Sequence, residues 1–274
     1  MGPIGVFDSG YGGLTILSAI RDRLPQYDYL YLGDNARAPY GTRSFDVVYE
    51  YTLEAVEELF SRGCHLVILA CNTASAKALR TIQQKDLPRI APEKRVLGVI
   101  RPSAEEIGTM SKTGHVGILA TEGTVRSNSY ELELAKFSPH ITVHQHACPM
   151  WVPLIENNRH DYEAGKLFIK EDLEDLLMRD GRMDVILLGC THYPILQDFL
   201  QDLVGDSIRI VSQGGIVAAK LEDYLKRHPE IESQCRKKGH VEFLTSENRE
   251  TFDMNVKRFL DWEVKSKHVH LGNK

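Results

Sequence analysis

Several features that would direct the reading elsewhere are scarce or missing. The five cysteines, Cys64, Cys71, Cys148, Cys190 and Cys235, are odd in number and include no Cys-x-x-Cys pair. That count argues against a disulfide framework and a ribbon-type zinc site, and reduced thiols are the expectation. No apolar run approaches the roughly 18 residues of a membrane span, and no basic segment precedes an apolar signal core. A membrane is therefore not an expected partner, and the expected location is cytoplasmic. The net charge of -5 gives no broad basic field, so a small soluble partner is expected and nucleic acid is not. Low-complexity tracts and short repeats are also missing.

What the chain does have is alternation. Apolar runs of strand length occur at Ile4 to Phe7, Tyr29 to Leu32, Leu66 to Leu69, Val96 to Ile100, Val116 to Leu119, Val185 to Leu188 and Ile208 to Val211. Helix-length stretches separate them, which is the pattern of βα units around mainly parallel sheets. Val48, Tyr51, Ala55 and Leu59 keep helical spacing before Gly63, and Ile169, Leu173, Leu176 and Leu177 do so before Gly181. At 274 residues the chain is long for one core and of a size for two lobes. Crossovers near Pro102 and at Gln213-Gly214-Gly215 would give a first α/β lobe of residues 1–99 plus 212–274 and a second of 100–211. The polar segment Lys265 to Lys274 is expected to fray.

Two passages are alike. Leu66-Val67-Ile68-Leu69-Ala70-Cys71-Asn72-Thr73-Ala74-Ser75 and Val185-Ile186-Leu187-Leu188-Gly189-Cys190-Thr191-His192-Tyr193-Pro194 each end an apolar strand at a thiol and open into helix-starting residues. Ligands bind at the carboxyl ends of parallel strands, so both thiols fall where chemistry is expected. One such cysteine is most simply a small buried hydrophobe. Two in matching settings point to a reactive pair, with helix N-terminal amides expected to lower the pKa of the sulfur.

The other motifs carry bland readings beside functional ones. Asp8-Ser9-Gly10-Tyr11-Gly12-Gly13 reads as a glycine turn between strand and helix, where glycine permits positive φ or close backbone approach. It lacks the Gly-x-Gly-x-x-Gly spacing of a dinucleotide site, because Thr15 holds the last position. Gly33 to Gly41 is a loop with a Pro39-Tyr40-Gly41 turn. His144, His146 and Cys148 would share one face of a strand, but three residues in one short run are better read as core or edge positions than as metal ligands.

Two thiols on opposite sides of a ligand carbon can remove a proton from one face and return one to the other, which inverts the centre. Each sulfur must then change protonation state during the reaction, with Asp8 and His192 as candidate assistants. Charge that develops on the substrate carboxylate can be met by backbone amides and by Asn72, Thr73 and Thr191. That chemistry demands no metal, nicotinamide or pyridoxal.

Taken together, Asp8-Ser9-Gly10-x-Gly12-Gly13, Gly33-Asp34 with Pro39-Tyr40-Gly41, Cys71-Asn72-Thr73-Ala74-Ser75, Thr121 to Val125, Val152 to Glu156 and Gly189 to Pro194 resemble the glutamate racemase family. The resemblance implies an isomerase that interconverts L- and D-glutamate without a cofactor, the D-form serving peptidoglycan synthesis. It implies two α/β lobes, each with a mainly parallel sheet flanked by helices, related by a pseudo-twofold axis around buried glutamate. Carried onto this sequence, it makes Cys71 and Cys190 the acid–base thiols and Asp8 and His192 their polar neighbours. The implied substrate contacts are Asp8, Ser9, Tyr40, Gly41, Asn72, Thr73, Thr121, Thr191 and His192, with Glu156 near the entrance. Homodimers are common in the family. Ser103 and Gln213 depart from its usual pattern at the two crossovers.

Aspartate racemase is the nearest alternative, with the same fold and mechanism. Ala74-Ser75 after Cys-Asn-Thr and His192 after Gly-Cys-Thr favour glutamate. A binding protein would need neither thiol. A hydrolase using Cys190 with His192 is disfavoured on the expectation that residues so close along a helix start do not face one another.

Overall fold

The computed structural model describes residues 1–272. Ten strands are separated by helices: β1 (Ile4–Asp8), β2 (Tyr29–Gly33), β3 (Leu66–Leu69), β4 (Arg95–Gly98), β5 (His115–Ala120), β6 (Thr142–Ala147), β7 (Val185–Gly189), β8 (Arg209–Val211), β9 (Val241–Thr245) and β10 (Lys267–His268). They make two sheets, ordered β10-β9-β2-β1-β3-β4 and β6-β5-β7-β8. Every neighbouring pair is parallel. Parallel neighbours cannot be joined by a tight turn, so helices carry the chain back between them.

Both faces of each sheet are covered, and the strand sequences show it. In β3, Leu66 and Ile68 enter one core while Val67 and Leu69 enter the core on the opposite face, and Cys71 continues the second set. In β7, Val185 and Leu187 face one core, and Ile186, Leu188 and Cys190 face the other. Period-two alternation between two apolar surroundings explains why these runs are hydrophobic at every position. Helix Phe45–Ser61 ends at Gly63, whose φ of +91° favours glycine, and feeds β3. Helix Glu163–Leu177 feeds β7.

The seven apolar runs all contain strands, with two trimmed: Ile208 precedes β8, which starts at Arg209. Val96 to Ile100 ends as strand at Gly98, because Ile100 already opens helix Ile100–Met110. Apolar runs do not register β6, β9 or β10. β6 reads Thr-Val-His-Gln-His-Ala and lies at a sheet edge, and β10 has only two residues.

The chain passes from the first sheet to the second after β4 and returns after β8. Pro102 marks the first passage from inside the opening turn of helix Ile100–Met110 rather than from a linker turn. A proline is tolerated there because the amide it lacks has no partner within the helix. Gln213 is the N-cap of helix Gly214–Arg227 at the second passage. The expected fraying of Lys265 to Lys274 is not found as far as Gly272: β10 pairs with β9, and Val269 is buried in the first-sheet core. Asn273 and Lys274 lie outside the described residues.

Candidate active site

The strands deliver their carboxyl ends to a common seam. Asp8 ends β1, Cys71 follows β3 by two residues, Thr121 follows β5 and Cys190 follows β7. Cys71 and Cys190 are 5% and 6% exposed, and Asp8 is fully buried. Cys71 is the N-cap of helix Asn72–Lys77, its sulfur accepting from the Ala74 amide at 3.4 Å and lying 3.4 Å from the Ser9 hydroxyl. Asp8 accepts from the Gly10 amide at 2.9 Å and from the Thr191 hydroxyl, across the seam, at 3.3 Å. Thr15 donates to the Thr191 carbonyl at 3.0 Å. Thr73 and Thr121 bring their hydroxyls to 3.0 Å, and the Gly123 amide donates to the Gly41 carbonyl at 2.9 Å. Asp8, Ser9, Gly41, Thr73, Thr121 and Thr191 are thereby brought to one seam between the sheets.

Charge is distributed unequally across it. Burial and the nearby Asp8 carboxylate push the Cys71 thiol up to about 12, outweighing the Ser9 and Ala74 hydrogen bonds, while the field of Cys190 adds to the rise. The cap geometry expected of Cys71 is present, but the expected downward shift is reversed. The cause is dehydration: a thiolate in a dry carboxylate-lined site costs more than one amide returns. Burial also raises Asp8, against the opposing effects of His192, the Gly10 and Gly13 amides and Thr191. Burial acts against the charged form of His192, yet the nearby Cys190 sulfur and the hydrogen-bonded Glu156 carboxylate raise the ring from 6.5 to about 10. The His192 Nε2 to Glu156 Oε1 distance is 3.0 Å. The hydrogen-bond partner of the ring is thus Glu156, with the Cys190 sulfur near enough to act on it through its field. A turn at Thr191 and His192 separates Cys190 from the 3-10 helix Tyr193–Leu196.

Close approach, not positive φ, explains Gly12 and Gly13. A Cβ on Gly12 would stand 2.3 Å from the Thr191 hydroxyl and 2.5 Å from His192 Nδ1. Tyr40 is committed within the protein: its buried hydroxyl donates to Asp34, and its carbonyl accepts from the Arg43 amide at 3.1 Å. Asp34, quoted in the sequence motif without a role, is fully buried and also accepts from Arg37 at 2.7 Å and Ser246 at 2.7 Å. It braces the turn that carries Gly41. Its only signal in the sequence is its place directly after β2. Tyr130, which bonds Asn72 at 2.8 Å, has no local signal.

Two groups of donors could be compared with metal sites. His115, His144 and Asp180 form one, and His146, Cys148 and Asp172 the other. In the first, Arg182 grips both Asp180 oxygens, at 2.8 Å and 2.9 Å. In the second, His146 is engaged at both nitrogens, by Asp172 at 2.8 Å and Arg179 at 3.1 Å, and Trp151 donates to Asp172 at 2.7 Å. Asp180 and His146 are thus held by arginines, while the buried His115 Nδ1, 2.9 Å from Asp180 Oδ2, makes no hydrogen bond. Among the described residues, no helix is long and apolar enough to cross a membrane.

The family model of Asp/Glu/hydantoin racemases matches residues 14–221. A glutamate racemase of Ruegeria sp. (strain TM1040) is 39% identical over 272 residues, covering 95% of this chain and 97% of its own. Among solved structures, a Bacillus anthracis glutamate racemase superposes with a TM-score of 0.90 at 33% identity, covering 100% of this chain and 99% of its own. The Francisella tularensis glutamate racemase, solved in complex with D-glutamate, superposes with a TM-score of 0.84 at 29% identity over 99% and 97% of the two chains.

Proposed function

The chain belongs to the Asp/Glu/hydantoin racemase family, and from that premise we propose that it interconverts L- and D-glutamate with Cys71 and Cys190 as the two acid–base groups. What supports the assignment of residues is that two buried thiols, one following a central strand of each sheet, stand near enough for the field of Cys190 to act on Cys71. A glutamate α-carbon between the sulfurs loses its proton to one as thiolate and receives a proton from the other as thiol. The sulfurs finish with exchanged protonation states, and the reverse reaction runs through the same arrangement. Asp8 and His192 are the charged neighbours that bias those states. Asn72, Thr73, Thr121 and Thr191 offer donors for the charge that grows on the α-carboxylate as the proton leaves.

The lobes would be residues 1–99 with 212–274, and 100–211. Both thiols are almost wholly covered, so glutamate reaches them when the two sides part and is dehydrated when they close. The same reading places the protein in the cytoplasm, supplying D-glutamate to peptidoglycan precursors, and assembles it as a homodimer, which light scattering tests.

The decisive experiment follows each enantiomer in heavy water by circular dichroism, together with deuterium at the α-carbon. Wild type should exchange and invert glutamate faster than aspartate. Cys71→Ala and Cys190→Ala should each lower kcat by about 10²–10⁴-fold or more. Full activity in either variant defeats the two-thiol scheme. The nearness of His192 to Cys190 also suits a thiol hydrolase, in which Cys71 has no part. Thiol-ester turnover that survives Cys71→Ala would favour that reading.

A further inference from the structure

The two passages between the sheets are bolted to each other and to the neighbour of Cys71. Gln213, at the second passage, accepts from Asn72 Nδ2 at 2.7 Å. Its own amide group donates to the Tyr130 hydroxyl at 2.8 Å and to Ser103 Oγ, at the first passage, at 2.7 Å. Tyr130 donates onward to Asn72 Oδ1 at 2.8 Å, and Ser103 to the Val99 carbonyl at 2.7 Å. Asn72, Gln213 and Tyr130 thus form a closed ring in which each donates to the next and accepts from the one before. Ser103 holds the remaining Gln213 proton. All four are at most 2% exposed.

With Ser103 donating to the Val99 carbonyl, such a ring has one consistent orientation. Flipping the Gln213 amide would set two NH₂ groups against each other at Asn72 and two acceptors at Ser103. Asn72 is thereby fixed with one Nδ2 proton left over, since its other proton and one carbonyl lone pair are taken. Its backbone starts the helix that Cys71 caps. Ser103 and Gln213, the two departures from the family pattern, are hydrogen-bonded partners in the same device.

We propose that Gln213, Tyr130 and Ser103 are positioning residues for the reaction, locking the Asn72 amide beside Cys71 so that its free N–H is preorganised for the substrate carboxylate. This rests on the racemase reading. Because the ring joins both passages, any movement of the sheets that displaces helix Gly214–Arg227 also displaces that donor.

The test begins with Tyr130→Phe, which keeps the packed aromatic body and removes one hydroxyl, and continues with Gln213→Ala and the double variant. Each single change should lower kcat by about tenfold or more with a smaller change in KM. The double should be little worse than the worse single, since both act through Asn72. Ser103→Ala, which removes only the outer acceptor, should cost about threefold or less. In ¹⁵N spectra the Asn72 side-chain amide should exchange its protons with solvent faster in Tyr130→Phe than in wild type. Variants that melt earlier but retain kcat and KM within about twofold while folded overturn the proposal, as do losses that multiply in the double. A wild type that does not turn over glutamate overturns the racemase reading and this proposal together. An active wild type with unaffected variants overturns the ring alone.

Discussion

Cys71 is held as a thiol at neutral pH, because burial and then Asp8 push it up to about 12. Its alkylation by iodoacetamide should be slow at pH 7 and rise steeply with pH, as followed by peptide mass mapping. Asp8→Asn removes one of the two main causes and should shift that rise to lower pH; an unmoved profile would mean that burial alone sets the thiol. His192 has the opposite chemistry, and its effect is on stability. The folded ring binds its proton more tightly than the unfolded ring, so protonation favours the fold. The contribution is complete below the unfolded value of 6.5, declines above it, and is gone once pH passes about 10. The buried thiols Cys64, Cys71 and Cys235, each raised from 9.0 to about 12, add loss of the same sign only above 9. Between 6.5 and 9 the fall of urea-derived stability should therefore be shallower in His192→Asn than in wild type. Parallel curves would contradict the assignment.

At the scale of elements, the unit of design is a strand that ends in phase with its thiol. Alternation between two cores sets the direction of each side chain in β3 and β7, and the same parity carries Cys71 and Cys190 onto defined faces. This is why the site was legible in sequence: the apolar run, the cysteine and the polar opening are all local. The bracing partners were not legible. Asp34, Tyr130 and Gln213 meet the site residues through tertiary contacts, in the last two cases with Asn72 at separations of 58 and 141 residues, and their local sequence suits many other roles. β6 and β10 also escaped, since edge strands need no apolar run. Capping is visible in sequence while dehydration is not, so the local sequence points the Cys71 shift downward where the fold raises it. The turn after β1 gives a further prediction. Gly12→Ala would drive a methyl into Thr191 and His192, so it should lower kcat by about tenfold or more while the melting temperature falls by only a few degrees. Unchanged kinetics would show that the turn yields without cost.

Across the whole molecule, the two sheets are clasped at their carboxyl ends by the Gly123–Gly41 backbone bond and the Thr73–Thr121 pair. A Cβ on Gly123 would come within 2.6 Å of the Gly41 carbonyl oxygen and 2.7 Å of Lys77 Nζ. The lysine can move aside, but the backbone cannot. Gly123→Ala should therefore raise KM for glutamate more than it lowers kcat, as the clasp closes less completely. Ligand binding should tighten the same clasp. Glutamate at about 100 times its Kd stabilises by about 2.7 kcal/mol, and both enantiomers should raise the melting temperature by several degrees where aspartate does less. A larger shift with aspartate would move the substrate assignment.

β2 pairs on one side with β1 and on the other with β9, Tyr29 lying opposite Val241, so the whole of the second sheet is encoded between two strands that must touch. During synthesis the four-stranded sheet is complete before β9 leaves the ribosome, while the edge of β2 waits uncovered. The β2 edge is then among the last parts to be covered, and nascent chains stalled before Val241 should remain open to protease around Tyr29 to Gly33 even after residues 115–211 have become resistant.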